Sequence, residues 1–213
     1  DFLQVEETLR IKDMTLDAAR FPNTAELQAD GAIGRLNATT TMGDIDGDGD
    51  FDELYVLGGR SFSIWSADGE QVYDSGSDFE RITAQRFPNN INANNDENDP
   101  EGCSDNKGPE PEGVAVGTLA GRTFAFIGLE RIGGVMVYDV THPQSAKFVQ
   151  YVTNRDFSKD PETDPTSGDL GPEGLAFIAA ADSPNGMPLL VVGNEVSGTT
   201  SIYQIDVIEV TAD

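Results

Sequence analysis

The chain has 213 residues, enough for a sizeable core in a single all-β domain. Its 13 Lys and Arg stand against 38 Asp and Glu, a formal net charge of −25 that repels nucleic acid and anionic membranes and attracts cations. Cys103 and His142 are its single cysteine and histidine, which excludes an intrachain disulfide and a Cys/His zinc site and leaves oxygen ligands, suited to calcium or magnesium, for any metal.

Asp1-Phe2-Leu3-Gln4 has neither a basic start nor an apolar leader, and the chain stops abruptly at Thr211-Ala212-Asp213. The expectation is a removed signal or a piece of a longer protein. No apolar run approaches the ~20 residues of a membrane span, so direct membrane insertion is not expected. Glu6 to Arg20 fits a short helix or a strand and turn about equally well. Beyond it come short β-rich runs broken by Gly, Asn, Asp and Pro: Leu54–Leu57, Ser61–Trp65, Val114–Gly117, Thr123–Gly128, Val135–Val140, Phe148–Val152, Leu175–Ile178, Leu189–Gly193 and Thr200–Ile205. A Ser-His-Asp triad would rest on His142 alone, which sits in the turn Thr141-His142-Pro143.

These runs repeat. Pro111-Glu112-Gly113-Val114 begins one unit and Pro172-Glu173-Gly174-Leu175 the next, while Gly58, Gly128 and Gly193 match at spacings of 70 and 65 residues. Repeats of a few strands with long loops suggest propeller blades. The fold expected is therefore one all-β domain over 1–213, a partial β-propeller of about three blades (30–75, 108–153 and 170–210). Three blades cannot close a ring, so a fragment of a longer propeller is expected, with self-association or missing propeller blades covering its open sides. A β-sandwich punctuated by glycine is the other reading. The loops 88–111 and 156–171 are too polar to pack.

Asp44-Ile45-Asp46-Gly47-Asp48-Gly49-Asp50-Phe51-Asp52 sets acids at alternating positions around a tight glycine turn, a pattern that surrounds calcium. An EF-hand needs a glutamate where Tyr55 stands and helices where the flank reads as strand. The loop instead resembles the calcium hairpins of integrin-type propellers. That resemblance implies side-chain ligation by Asp44, Asp46, Asp48 and Asp52 and carbonyl ligation by Asp50. The bland alternative is an acidic turn without metal.

Glu112 and Glu173 start equivalent runs, and Glu130 and Glu195 end the runs paired with them, so all four should gather on one rim, with Glu110, Arg131 and Asn194 beside them. Such a rim can hold a cation. Equally, Glu between Pro and Gly is ordinary turn chemistry. Ser104 to Gly113, Gly128 to Gly134, Asn194 to Thr200, Gly43 to Gly49 and Arg60 to Trp65 together resemble signature segments of the choice-of-anchor I family. The resemblance implies a secreted, periplasmic or cell-surface bacterial propeller, some members being labelled alkaline phosphatase or esterase-like phytase. The function expected is a calcium-binding extracellular binding or structural module. The alternative is a metal-dependent phosphoesterase whose rim Glu112, Glu130, Glu173 and Glu195 ligate a hard cation, with Lys107 or Arg131 steadying phosphate. No residue is assigned as catalytic.

Overall fold

The computed structural model describes residues 7–206. Asp1–Gln4, Glu6, Thr211–Asp213 and the end of the third expected blade lie outside the described residues. Of the described residues, 7–58 and 105–107 form one compact unit, and 59–104 and 108–206 a second. The second is built mainly from antiparallel β-sheets with one short α-helix, whereas the first is mostly turns and loops around one short antiparallel pair.

In the first unit β1 (Thr8–Arg10) pairs with β2 (Asn37–Thr39). A single turn of 3-10 helix at Ile11–Asp13 follows β1, and α1 (Thr24–Leu27) is also one turn long. Ile11, Met14 and Leu16 are buried around Ala38, with Phe51 and Leu54 packed against them. Their spacing of three and then two residues makes no helical stripe, so the stretch from Glu7 to Arg20 settles as strand and turn. The run Leu54–Leu57 is not the strand its composition suggests. It contributes one antiparallel bridge, Ala38 to Val56. Tyr55, Val56 and Leu57 remain 37–49% exposed, so no packed layer rewards a longer ladder there. Asp105 belongs to this unit, where its carboxylate meets Arg35 Nη2 at 2.7 Å.

The second unit begins with the hairpin β3 (Ser63–Trp65) and β4 (Gln71–Asp74), followed by α2 (Asp78–Arg86). Residues 30–75 are thus divided between the two units. Next come β5 (Pro111–Leu119), β6 (Arg122–Leu129), β7 (Val135–Asp139) and β8 (Lys147–Val152), a four-stranded sheet in sequence order. Last are β9 (Pro172–Ile178), β10 (Leu189–Asn194) and β11 (Thr199–Gln204), a three-stranded sheet in the order β11-β10-β9. Each of these seven strands overlaps a run read from the sequence, with ends shifted by up to three residues.

The middle strands of the central sheet, β6 and β7, are buried on both faces. Phe79 and Ile82 of α2, with Phe62, cover Ala125, Ile127, Met136 and Tyr138. On the other face Ala115, Phe126 and Val137 pack against Leu175, Phe177, Leu190 and Val192 of the next sheet. This explains why β6 and β7 read as near-continuous apolar runs rather than alternating ones. The turn between them needs glycine. Gly134 has φ +83°, and a Cβ there would lie 2.5 Å from Val152 O. The helix α2 has no counterpart in the sequence reading. Its buried positions, Phe79, Ile82 and Thr83, supply only two large apolar side chains, and Asp78 and Glu80 mask the stripe.

The segment 88–111 is polar, yet it packs, which corrects the expectation that it would not. Ala93, Asn92, Asn95 and Cys103 are buried. Amides replace apolar contacts: Asn92 Nδ2 donates to Glu80 Oε1 at 2.8 Å, and Asn90 Nδ2 to Asn98 O at 2.7 Å. The guanidinium of Arg155 donates to Asn94 O (2.7 Å), Glu97 O (3.0 Å) and Arg131 O (2.8 Å), pinning the segment to the turn after β6. Burial lowers the Arg155 pKa to about 10. In 156–171, Asp156, Asp160 and Asp164 each accept backbone N–H groups two residues on, at 2.9 Å. That is turn chemistry that orders a loop without a core. Leu170, at its end, is buried.

Candidate functional site

The acidic loop of the first unit is closed at its base by Gly43, whose carbonyl accepts from the amides of Asp52 (2.8 Å) and Glu53 (3.1 Å). Phe51 anchors the far end of the loop, bridging to Leu16 with its amide donating to Thr15 O at 2.9 Å. Gly43, Gly47 and Gly49 have φ of +107°, +77° and +99°, values that let the backbone turn inward between aspartates. The turning amides then orient the carboxylates. Gly47 N and Gly49 N donate to the two oxygens of Asp44 (2.7 and 3.1 Å), Asp50 N to Asp48 (3.1 Å), and Ile45 N to Asp52 (2.9 Å).

Among the described residues, Asp44, Asp46 and Asp48 form the group in which one carboxylate oxygen from each lies within 4.8 Å of the others. Two oxygens each about 2.4 Å from one calcium ion lie at most about 4.8 Å apart, so the spacing fits a shared ion. The donor set, exposed and all oxygen, also fits a hard cation. The carboxylates of Asp50 and Asp52 fall outside that group. Charge crowding shows in the titration of the loop. The Asp46 pKa is raised, first by the charge of Asp48, and that of Asp50 is raised by lost hydration and then by Asp48 and Asp17.

In the second unit Pro111 pairs with Leu129 and Pro172 with Asn194, so Glu112 and Glu130 meet at one strand edge, as do Glu173 and Glu195. Glu130 shares hydrogen bonds with Glu110 and Glu112, Glu173 shares one with Glu195, and the charge of Glu112 is felt at Glu173. Arg131 bridges two of these groups, with Nε 3.0 Å from Glu110 and Nη2 3.2 Å from Glu130. Burial, then the hydrogen bond from Glu110, pushes the Glu130 pKa up to about 8 against the pull of Arg131. The Glu173 carboxyl is raised by its hydrogen bond to Glu195. Glu112, Glu173 and Glu195 are exposed, whereas Glu130 is buried. Lys107 is carried by the first unit, and the other rim residues by the second.

Glu110, which the sequence places beside the rim without a role, is the buried partner of Arg131. Its side chain is 5% exposed against Arg131, and its φ is +49°. The equivalent position one repeat on is Gly171, φ +70°. Each carbonyl accepts the amide at the end of the paired strand, Glu130 N at 2.9 Å and Glu195 N at 2.8 Å. The signal was visible as a glutamate aligned with a glycine before Pro-Glu-Gly. Cys103, whose Sγ lies 3.3 Å from Asn94 Oδ1, has its pKa raised by burial to about 11 and is held as a thiol. His142 is exposed in its turn, as expected.

No helix among the described residues is long and apolar enough to cross a membrane. Two curated proteins resemble the chain. Gigasin-3a of Magallana gigas is 32% identical over 206 residues, covering 89% of this chain and 70% of its own length. The mesenchyme-specific cell surface glycoprotein of Strongylocentrotus purpuratus is 24% identical over 174 residues, 71% of this chain but only 22% of its own length. No solved structure matches. Residues 4–143 match the Choice-of-anchor I domain, a span that takes in the acidic loop and Glu110, Glu112, Glu130 and Arg131 and stops before Glu173 and Glu195. The chain belongs to the choice-of-anchor I family.

Proposed function

We propose that the protein is a calcium-binding extracellular module, a segment of a β-propeller in which the ion rigidifies the loop between Gly43 and Asp52. One observation carries the reading: three exposed carboxylates converge at a spacing that one calcium ion spans, on a loop whose amides already hold them in place. Asp52 and the Asp50 carbonyl complete the proposed ligand set. A cell-surface setting is supported by family membership and by the printed name of the Strongylocentrotus purpuratus relative. The propeller reading is supported by the sequential antiparallel sheets stacked face to face in the second unit. Isothermal titration of metal-stripped protein tests the function. Saturable calcium uptake that is lost in Asp44→Asn/Asp48→Asn is the expected result, and no uptake by the unsubstituted chain would overturn it.

A second reading is supported by the crowded rim. Glu112 and Glu130, and separately Glu173 and Glu195, lie within hydrogen-bonding reach of each other, the charge of Glu112 is felt at Glu173, and a hard cation there would relieve the repulsion. In a metal-dependent phosphoesterase such a cation polarises a phosphoryl oxygen, while Arg131 offers donors to phosphate. Phosphate release from a generic aryl phosphate in calcium, abolished by Glu112→Gln/Glu173→Gln, would favour it over the binding module. Equal background rates in both proteins would reject it.

A further inference from the structure

The register of the two large sheets aligns their residues one to one. Val114 pairs with Ile127 where Leu175 pairs with Val192, and Pro111 pairs with Leu129 where Pro172 pairs with Asn194. Val114 is therefore the counterpart of Leu175, Val116 of Phe177, Gly113 of Gly174, and Gly128 of Gly193.

Inside the chain these positions make an interface. Leu175 and Phe177 are knobs that pack on the central sheet, and Phe177 stacks on Phe126 with ring centroids 6.0 Å apart. The central sheet receives them with glycine. A Cβ on Gly113 would lie 2.6 Å from Leu175 Cδ1, on Gly117 2.5 Å from the Phe177 ring, and on Gly128 3.1 Å from Leu175 Cδ1.

Among the described residues, each half of this interface recurs once without a packed counterpart. The knobs one repeat earlier are Val114 and Val116, which are 61% and 59% exposed. The hollow one repeat later lies at Gly174, with nothing within 4 Å of a built Cβ, and Gly193, which would meet only Gly174 O at 3.7 Å. Ile202 on that same sheet face is 64% exposed, although its counterpart Val137 is 7% exposed and lies in the core. The open hollow repeats two of the three glycines, with Ile178 at the counterpart of Gly117, and the knob it would face is the smaller Val116 in place of Phe177, so the two open halves are still complementary in size.

We propose that copies of this chain associate head to tail, the Val114–Val116 knobs of one seated in the Gly174–Gly193 hollow of the next and covering Ile202. The contact is heterologous, so each copy uses one half for each neighbour. It continues an interface already built within the chain, and it stands on the repeat geometry, independently of the calcium reading. The net charge of −25 on every copy opposes the encounter. Added salt, which shortens the screening length to about 8 Å at physiological strength, therefore strengthens the association.

Sedimentation velocity of the whole chain over rising concentration, in physiological salt with calcium, is the test. Gly174→Val fills open space at a backbone conformation that is not left-handed, so it folds but blocks the hollow. Val114→Ser/Val116→Ser alters only exposed side chains and removes the knobs. The unsubstituted protein should associate, and each variant should do so at least about tenfold more weakly. Mixing the two variants should restore a one-to-one complex, because each retains the half that the other has lost. A protein that stays monomeric throughout, variants that associate undiminished, or a mixture that fails to pair would each overturn the proposal. Should a variant prove unfolded by circular dichroism, hydrogen exchange on the unsubstituted chain decides. Concentration-dependent slowing at both 113–117 and 174–193 supports the contact, and its absence at either refutes it.

Discussion

Glu130 is a carboxylic acid held between two other carboxylates and one guanidinium, and its titration has a defined consequence for stability. Its folded pKa is about 8 against an ordinary 4.5. A raised carboxyl pKa favours folding while the group is protonated, so its contribution is full below about pH 4.5 and is lost as pH rises towards 8. Metal-free protein should therefore melt at progressively lower temperature across that window. Glu130→Gln, which cannot ionise, should flatten the slope and melt higher than the parent at pH 8. An unchanged slope in the variant would show that Glu130 ionises normally. Glu110 bears on the same titration, because its hydrogen bond is the second cause of the shift. Replacing it with glycine, the residue at the equivalent position, relieves a left-handed backbone that costs about 1 kcal/mol or more. It also removes one carboxylate from Arg131. Glu110→Gly should move the Glu130 midpoint down, measurable by carboxyl NMR, while leaving the antiparallel pairing of β5 and β6 intact.

At the scale of elements, Arg155 does for the 88–111 segment what apolar side chains do elsewhere. Arg155→Met keeps the stem but removes the donors to Asn94, Glu97 and Arg131, stranding several buried carbonyls. A loss of about 3 kcal/mol is expected in denaturant unfolding. Faster proteolysis confined to 88–110 should accompany it, and wild-type resistance there would mean that the amide network holds the segment unaided. The same segment shows where legibility stopped. Strands β5 to β11 could be read because they are β-branched or aromatic runs between turn residues, and β5, β6 and β7 recur as β9, β10 and β11 at a near-constant spacing, with β8 read from composition alone. The acidic loop and the strand-edge glutamates were legible for the same reason, since their places follow from turn chemistry and pairing. What could not be read depends on partners distant in sequence. Asn92 and Asn95 are buried because Glu80 and Arg155 lie where the fold puts them. The helix α2 exists because Phe79 and Ile82 find Tyr138 and Met136. Leu54–Leu57 has strand composition but lacks a covering layer, and composition alone carries no record of that.

The molecule as a whole divides its chemistry between two units with separate cores, the acidic loop in one and the glutamate edge in the other. The first unit has a small core of Ile11, Met14, Leu16 and Ala38 and short pairings, so a ligand held by the loop, as proposed, would contribute a large share of its stability. A ligand at one hundred times its dissociation constant stabilises the state that binds it by about 2.7 kcal/mol. Calcium should therefore act first on amides bonded within this unit. Those of Ile11 to Leu36 O, Thr39 to Tyr55 O and Phe51 to Thr15 O, with lengths of 2.9 Å each, are the natural reporters. Hydrogen exchange at these three should slow by up to about one hundredfold on adding calcium at constant ionic strength. Sodium at matched ionic strength only screens the charge of −25 and should produce a smaller, more uniform slowing over both units. Magnesium, which demands shorter bonds and near-octahedral geometry, should substitute poorly. If calcium slowed only amides of the second unit, the ion would have to be bound away from Asp44, Asp46 and Asp48. If calcium and sodium gave the same pattern, the loop would be an acidic turn held by its own glycines and amides.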